Sequence, residues 1–221
     1  MIPRAAQWAT LIEVSHRATS GLALLLMMTL VIWAFRAYPR GHLVRRGATL
    51  SIIFILTEAL VGAGLVLFEL VADNASIARA LFMSVHLANT FVLVAVLTLT
   101  GWWASGGSSV QFSKQGSNLA IAFAVALAGM LILGMSGAVA ALGDTLFPSR
   151  SLAEGLRQDF SATAHLLIRL RLLHPTLAIT TSCYVIALSV IVSALRPDIL
   201  TKRFARVLVT LTATTACGRG S

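Results

Sequence analysis

Ile12-Glu13-Val14-Ser15-His16-Arg17 leads within a few residues into Gly21-Leu22-Ala23-Leu24-Leu25-Leu26-Met27-Met28. An acid, an imidazole and a guanidinium stand at the doorway of a segment apolar enough to cross a bilayer. In a helix Glu13 lies three residues before His16 and four before Arg17, so all three share one face. Ionisable groups beside hydrocarbon need partners, and a cluster of them is a functional-site candidate by default. This stretch sets the class of fold, a membrane helix bundle, and raises the question of what His16 meets from the other side.

The apolar pattern recurs along the chain. Of 221 residues, 57% are hydrophobic and 11% charged, far from the composition of a soluble domain. Blocks run from about Leu11 to Phe35, Ala48 to Leu70, Ala80 to Thr100 and Leu119 to Leu142, and a fifth ends at Leu195. Each suits a hydrocarbon core of about 30 Å at about 1.5 Å per helical residue. A sixth, from about Val207 to Ala216, is short for a crossing. The fold expected is an all-α polytopic membrane helix bundle. No signal-peptide pattern opens the chain. The two cysteines, Cys183 and Cys217, form no CxxC pair.

A net charge of +9 raises the question of nucleic acid, but the basic residues sit in short loops between apolar blocks. No nucleic-acid partner is expected. Arg36, Arg40, Arg45, Arg46, Lys114, Arg196, Lys202, Arg203 and Arg206 collect on one side, which the positive-inside rule makes cytoplasmic. Glu13, His16 and Arg17 then lie near the outer surface, and the first, third and fifth blocks run inward.

Four of the five histidines fall on that outer side. His16 opens the first block, His86 the third, and His165 and His174 lie at the start of the fifth. His42, in the arginine loop, reads as a solvated loop residue. Imidazoles at matched depth on neighbouring helices suit metal or haem ligation. A bare zinc or iron ion would want carboxylates or thiolates nearby, and His86 has Ser84, Asn89 and Thr90 instead. Haem is therefore preferred. The plainer reading is that such histidines hydrogen-bond between helices.

His165 and His174 are nine residues apart, on opposite faces of a continuous helix. Pro175 removes an amide, so a kink or helix start is expected there. His174 is the better ligand. Arg169 and Arg171 are candidates for haem propionates, or ordinary snorkelling residues. Glu13 with Arg17 reads equally as a structural ion pair. Glu58, mid-block, is expected to be neutral or hydrogen-bonded, with proton handling the bolder reading. Gly62 and Gly64 read as a close helix contact. His16 and His174 each begin an inward-running helix, which suggests two related halves. One is residues 1–104, with three helices and the His16/His86 site, and the other residues 105–221, with the His174 site.

Glu13-Val14-Ser15-His16-Arg17, His86, Gly143-Asp144-Thr145-Leu146-Phe147-Pro148 and Leu170-Arg171-Leu172-Leu173-His174-Pro175 together resemble the haem A synthase family of cytochrome oxidase assembly proteins. The likeness extends over nearly the whole chain. It implies two four-helix halves with paired histidines near the outer face of each, and an oxidoreductase that converts haem O to haem A by oxidising a ring methyl to a formyl group. On that pattern His16 and His86 ligate the iron of the substrate haem, Glu13 is the catalytic carboxylate, and His174 is a ligand of a second haem, haem b. Arg17, Arg169 and Arg171 complete the cofactor-binding set.

The implied location is the bacterial inner (plasma) membrane. Candidate partners are haem O, haem O synthase, oxidase assembly factors, the lipid bilayer and a second copy of the chain. Against the family pattern, the first and last helices are expected to be missing, His174 to lack its partner, and the outer loops to lack cysteine pairs. Pro175 also stands where the pattern has an arginine. The alternative function is a non-catalytic b-type membrane cytochrome that transfers electrons.

Overall fold

The computed structural model describes residues 4–71, 74–109, 117–149, 151–161 and 165–217. Helix follows helix, in the order α1 (Arg4–Ala37), α2 (Leu43–Leu67), α3 (Ile77–Ala104), α4 (Ser117–Leu146), α5 (Leu152–Asp159), α6 (Leu166–Arg171), α7 (Leu173–Leu195) and α8 (Ile199–Cys217). Among the described residues there is no strand. Among the described residues five stretches are long and apolar enough to span a bilayer, the fifth being α6 and α7 taken together. The protein is an all-α polytopic membrane bundle. The large apolar side chains that line its outside, such as Leu22, Leu60 and Ile132, are those a helix presents to lipid.

The chain packs as two units. One is Met1–Ala63 with Asn89–Val110, and the other Gly64–Ala88 with Gln111–Ser221. In the first, Ala34, Val44 and Ala48 are fully buried against Leu30, Val31, Tyr38, Trp103 and Ala104. Alanine there and Gly47 let helices approach closely, and a Cβ on Gly47 would fall 2.1 Å from Thr100 Oγ1. The turn from α1 to α2 is tight. Gly41 supplies a φ of +85°, and the His42 ring packs 4.5 Å from that of Tyr38 while its Nδ1 accepts the Val44 N–H at 3.2 Å. His42 is therefore a helix cap, not the solvated loop residue the sequence suggests.

The same unit contains a polar knot between α2 and α3. Glu58 accepts hydrogen bonds from the Asn89 side-chain amide and the Thr90 hydroxyl. The Asn89 amide also donates to Phe54 O at 2.8 Å, and its oxygen accepts from Thr57 at 2.8 Å. Hydrogen-bonded is thus the expectation for Glu58 that the structure carries. Glu58→Leu strands an Asn89 N–H among apolar side chains and should cost about 1–3 kcal/mol. Adding Asn89→Leu should recover part of that loss in a chemical-denaturation double-mutant cycle. Costs that simply add would mean the two residues are uncoupled.

In the second unit, Ala80, Leu142 and Leu167 form a core with Val139, Met83, Leu146 and Phe147. Gly64 accommodates Phe82, whose ring carbon would lie 2.9 Å from an added Cβ. Its role is the close helix contact expected of it. α4 packs on both α6 and α7, and α7 on α8. The chain breaks at Leu172, so Pro175 falls in the first turn of α7, where its missing amide has no intrahelical acceptor to lose. Asp198 caps α8. It accepts the Thr201 hydroxyl and, at 2.9 Å, the Thr201 N–H, and both hold its carboxyl below the usual carboxylate value.

Candidate functional site

On α1 the doorway residues form the arrangement that their spacing dictates. Arg17 Nη2 lies 2.6 Å from Glu13 Oε1, one helical turn away, with the two side chains 71% and 60% exposed. An exposed pair of this kind contributes at most about 1 kcal/mol to stability. Its effect is to hold the carboxylate in one place. Ser15 and Thr19 turn their hydroxyls back onto carbonyls of their own helix, which leaves Glu13, His16 and Arg17 as the chemistry of that face. Every described side chain from Thr10 to Leu22 is exposed, His16 included.

His86 sits half-buried on α3, in the second unit, two residues after the buried Ser84. His16 and His86 thus belong to different packing units.

His174, in the first turn of α7, is seated against α4. Its Nδ1 lies 3.1 Å from Ser136 Oγ, and Ser136 Oγ also lies 2.8 Å from Leu133 O. A hydroxyl has one proton. Given to the Leu133 carbonyl, it leaves the serine oxygen to accept from Nδ1–H, and ligation then falls to Nε2. The ring lies flush on a glycine, for a Cβ at Gly137 would come 3.1 Å from His174 Cε1. Ser136 and Gly137 are the residues that reading the sequence missed. The only signal for them is the small-residue run Gly134-Met135-Ser136-Gly137 within an apolar block.

His165 does other work. Its Nδ1 accepts the Leu167 N–H at 3.3 Å to cap α6, and its ring packs 5.2 Å from that of Phe147. Two of the five histidines, His42 and His165, are therefore caps of the same design. His16, His86 and His174 remain as candidate ligands.

Arg171 is the hub of an ion network. Its Nε donates to Asp159 Oδ1 at 2.7 Å and its Nη1 to Asp144 Oδ1 at 2.9 Å, while Nη2 lies 2.6 Å from Asp159 Oδ1. Its side chain and that of Asp159 are only 11% and 9% exposed. This fastens α5 to the end of α4 and to α6. A propionate at Arg171 would have to share donors that two carboxylates already use. Arg169, next but one, is exposed.

Among the described residues no three histidine, cysteine, aspartate or glutamate side chains are grouped as a bare metal ion would need. Imidazoles standing singly on separate helices are the donor set of an iron whose other four ligands a porphyrin supplies. The glycine floor and fixed Nδ1 of His174 fit that group.

A family model described as cytochrome oxidase assembly protein, COX15-CtaA, matches residues 3–218. A protein of Thermus thermophilus named protoheme IX farnesyltransferase is 51% identical over 211 residues, which are 96% of this chain and 34% of that protein. A heme A synthase of Staphylococcus carnosus is 41% identical over 69 residues, 31% of this chain and 22% of its own. One of Staphylococcus haemolyticus is 33% identical over 100 residues, 44% of this chain and 32% of its own. The chain spans about a third or less of the length of these relatives. No solved structure matches.

Proposed function

Since this chain belongs to the haem A synthase family of cytochrome oxidase assembly proteins, we propose that it serves as a membrane oxidoreductase converting haem O to haem A, by oxidation of a ring methyl to a formyl group. The observation that carries this reading is the family match across residues 3–218, which takes in Glu13, His16, His86 and His174 together.

The haem, when bound, supplies the redox chemistry. The residues of the chain orient and polarise. His16 and His86 would hold the substrate haem by its iron, and Glu13 would act at the methyl that reacts. Arg17, one turn away, holds the Glu13 carboxylate in position, so that it can accept a proton or stabilise positive charge developing at the methyl carbon. His174, its ring oriented by Ser136, would hold the iron of a haem b through Nε2. Arg169 would hold propionates, and Arg171 would do so only in competition with Asp144 and Asp159. We take the membrane to be the bacterial plasma membrane, with both sites toward its outer face, on the distribution of loop arginines. Haem O synthase, oxidase assembly factors and a second copy of the chain are the partners this function implies.

The Thermus relative is named for farnesyl transfer, but this chain matches only about a third of it. Magnesium on a prenyl diphosphate is held by carboxylates. The eight acidic residues here are spread from Glu13 to Asp198, with at most a single pair four apart. Methyl oxidation is therefore preferred for this chain.

A second reading, a b-type cytochrome that only transfers electrons, is favoured by the firm seating of His174 on Gly137 and Ser136. The two part on the porphyrin. Haem extracted from the purified chain, expressed where haem O is made, should contain hydroxylated or formyl products by mass spectrometry. Unmodified haem with reversible redox change would instead leave the cytochrome.

A further inference from the structure

The turn between α1 and α2 has a feature that the proposed reaction does not use. A cleft of about 610 Å³ opens there, lined among others by Phe35, Arg40, His42, Arg45, Arg46 and Leu50. Arg36, Arg40, Arg45 and Arg46 fall within eleven residues, and no aspartate or glutamate occurs between Glu13 and Glu58. The ion pairs Arg17–Glu13, Arg171–Asp144 and Arg171–Asp159 all lie outside this turn. The cationic cleft is thus not neutralised by acids of its own loop.

Its parts are held in place. The Arg45 guanidinium lies over the Phe35 ring, 4.1 Å from the centroid, which fixes its plane and leaves its N–H groups directed along that plane. His42 caps the start of α2 through Val44, so the positive end of a helix of 25 residues adds to the same field. The turn joins the ends of two membrane-spanning segments, the depth at which lipid phosphates lie. Phe35 and Leu50, 47% and 43% exposed, continue the cleft onto the apolar flank of those spans.

We propose that this cleft binds a net-anionic phospholipid, with Arg40, Arg45 and Arg46 on its phosphodiester and Phe35 and Leu50 against its first acyl carbons. The cationic rim selects the phosphate, as basic pockets between transmembrane helices do. The apolar flank selects a lipid over inorganic phosphate. A zwitterionic headgroup brings its own cation into the arginine field and should bind more weakly.

Native mass spectrometry of the detergent-solubilised chain tests this, with phosphatidylglycerol, phosphatidylcholine or inorganic phosphate added. Phosphatidylglycerol should bind well above phosphatidylcholine. Occupancy should fall roughly ten- to thirtyfold in Arg45→Gln/Arg46→Gln, yet hold in Arg203→Gln/Arg206→Gln on α8. Arg46→Gln alone, at an exposed position, should give a fall of about fivefold and decides the matter should the double variant not fold. Equal binding of the two lipids, occupancy unmoved by the turn variants or equally reduced by the α8 pair, or displacement of the lipid by inorganic phosphate would each overturn the site.

Discussion

Glu13→Ala should leave the haem content of the purified protein unchanged and lower haem A formation by about 10²–10⁴-fold, the usual contribution of a positioned acid–base group. Glu13 is no iron ligand in this reading, and its bond to Arg17 lies on an exposed helix face, so its loss costs little stability. Haem binding and fold should survive, and only the step that develops charge or releases a proton should fail. Glu13→Gln is the sharper variant. It keeps an oxygen for Arg17 Nη2 but takes no proton at neutral pH, and should be as inactive as the alanine. Haem quantified by its reduced pyridine complex, together with mass spectrometry of the extracted porphyrin, separates binding from chemistry. Haem A production retained in Glu13→Gln would remove the carboxylate from the mechanism.

Gly137→Val should abolish haem binding at His174 as completely as His174→Ala. A single Cβ at that position already comes 3.1 Å from the imidazole, and valine adds two methyls whose rotamers a helix restricts. The ring must leave its seat. Gly137→Ala asks the ring to give by only a few tenths of an ångström and should weaken binding partially. Ser136→Ala removes the partner of Nδ1 without crowding the ring. Loss of such an outer hydrogen bond typically costs about 10–100-fold in affinity. This graded order, read by haem titration of the Soret band, is the signature of a seated ligand. If Gly137→Val and wild type bind haem alike, His174 is a packing histidine.

The fold was legible because lipid imposes long apolar blocks that need no partner to be recognised, and the Glu13–Arg17 bond follows from helical spacing alone. Pro175 announced the start of α7 through its missing amide. What stayed hidden depends on neighbours distant in sequence. Ser136 reads as one more small residue until α7 is laid on α4. Nothing in the sequence ties Asp144 or Asp159 to Arg171; only the fold closes them on it. His165 could not be told from a ligand by sequence, nor His42 from a solvated residue, because a ring nitrogen that caps a helix and one that binds iron are the same atom in different company. The half-buried Glu58 needed Asn89, thirty-one residues on, before its polarity made sense.

The Arg171 hub bears on how genetic data from this region should be read. A null allele at Arg171 would strand the carboxylate of Asp159 in a nearly dry setting, a change that typically costs about 3–5 kcal/mol. Its phenotype would report the unfastening of α5 before it reported any lost cofactor. Only epistasis tells the two apart, since an Asp159→Asn suppressor rescues a broken joint but not a missing contact to porphyrin.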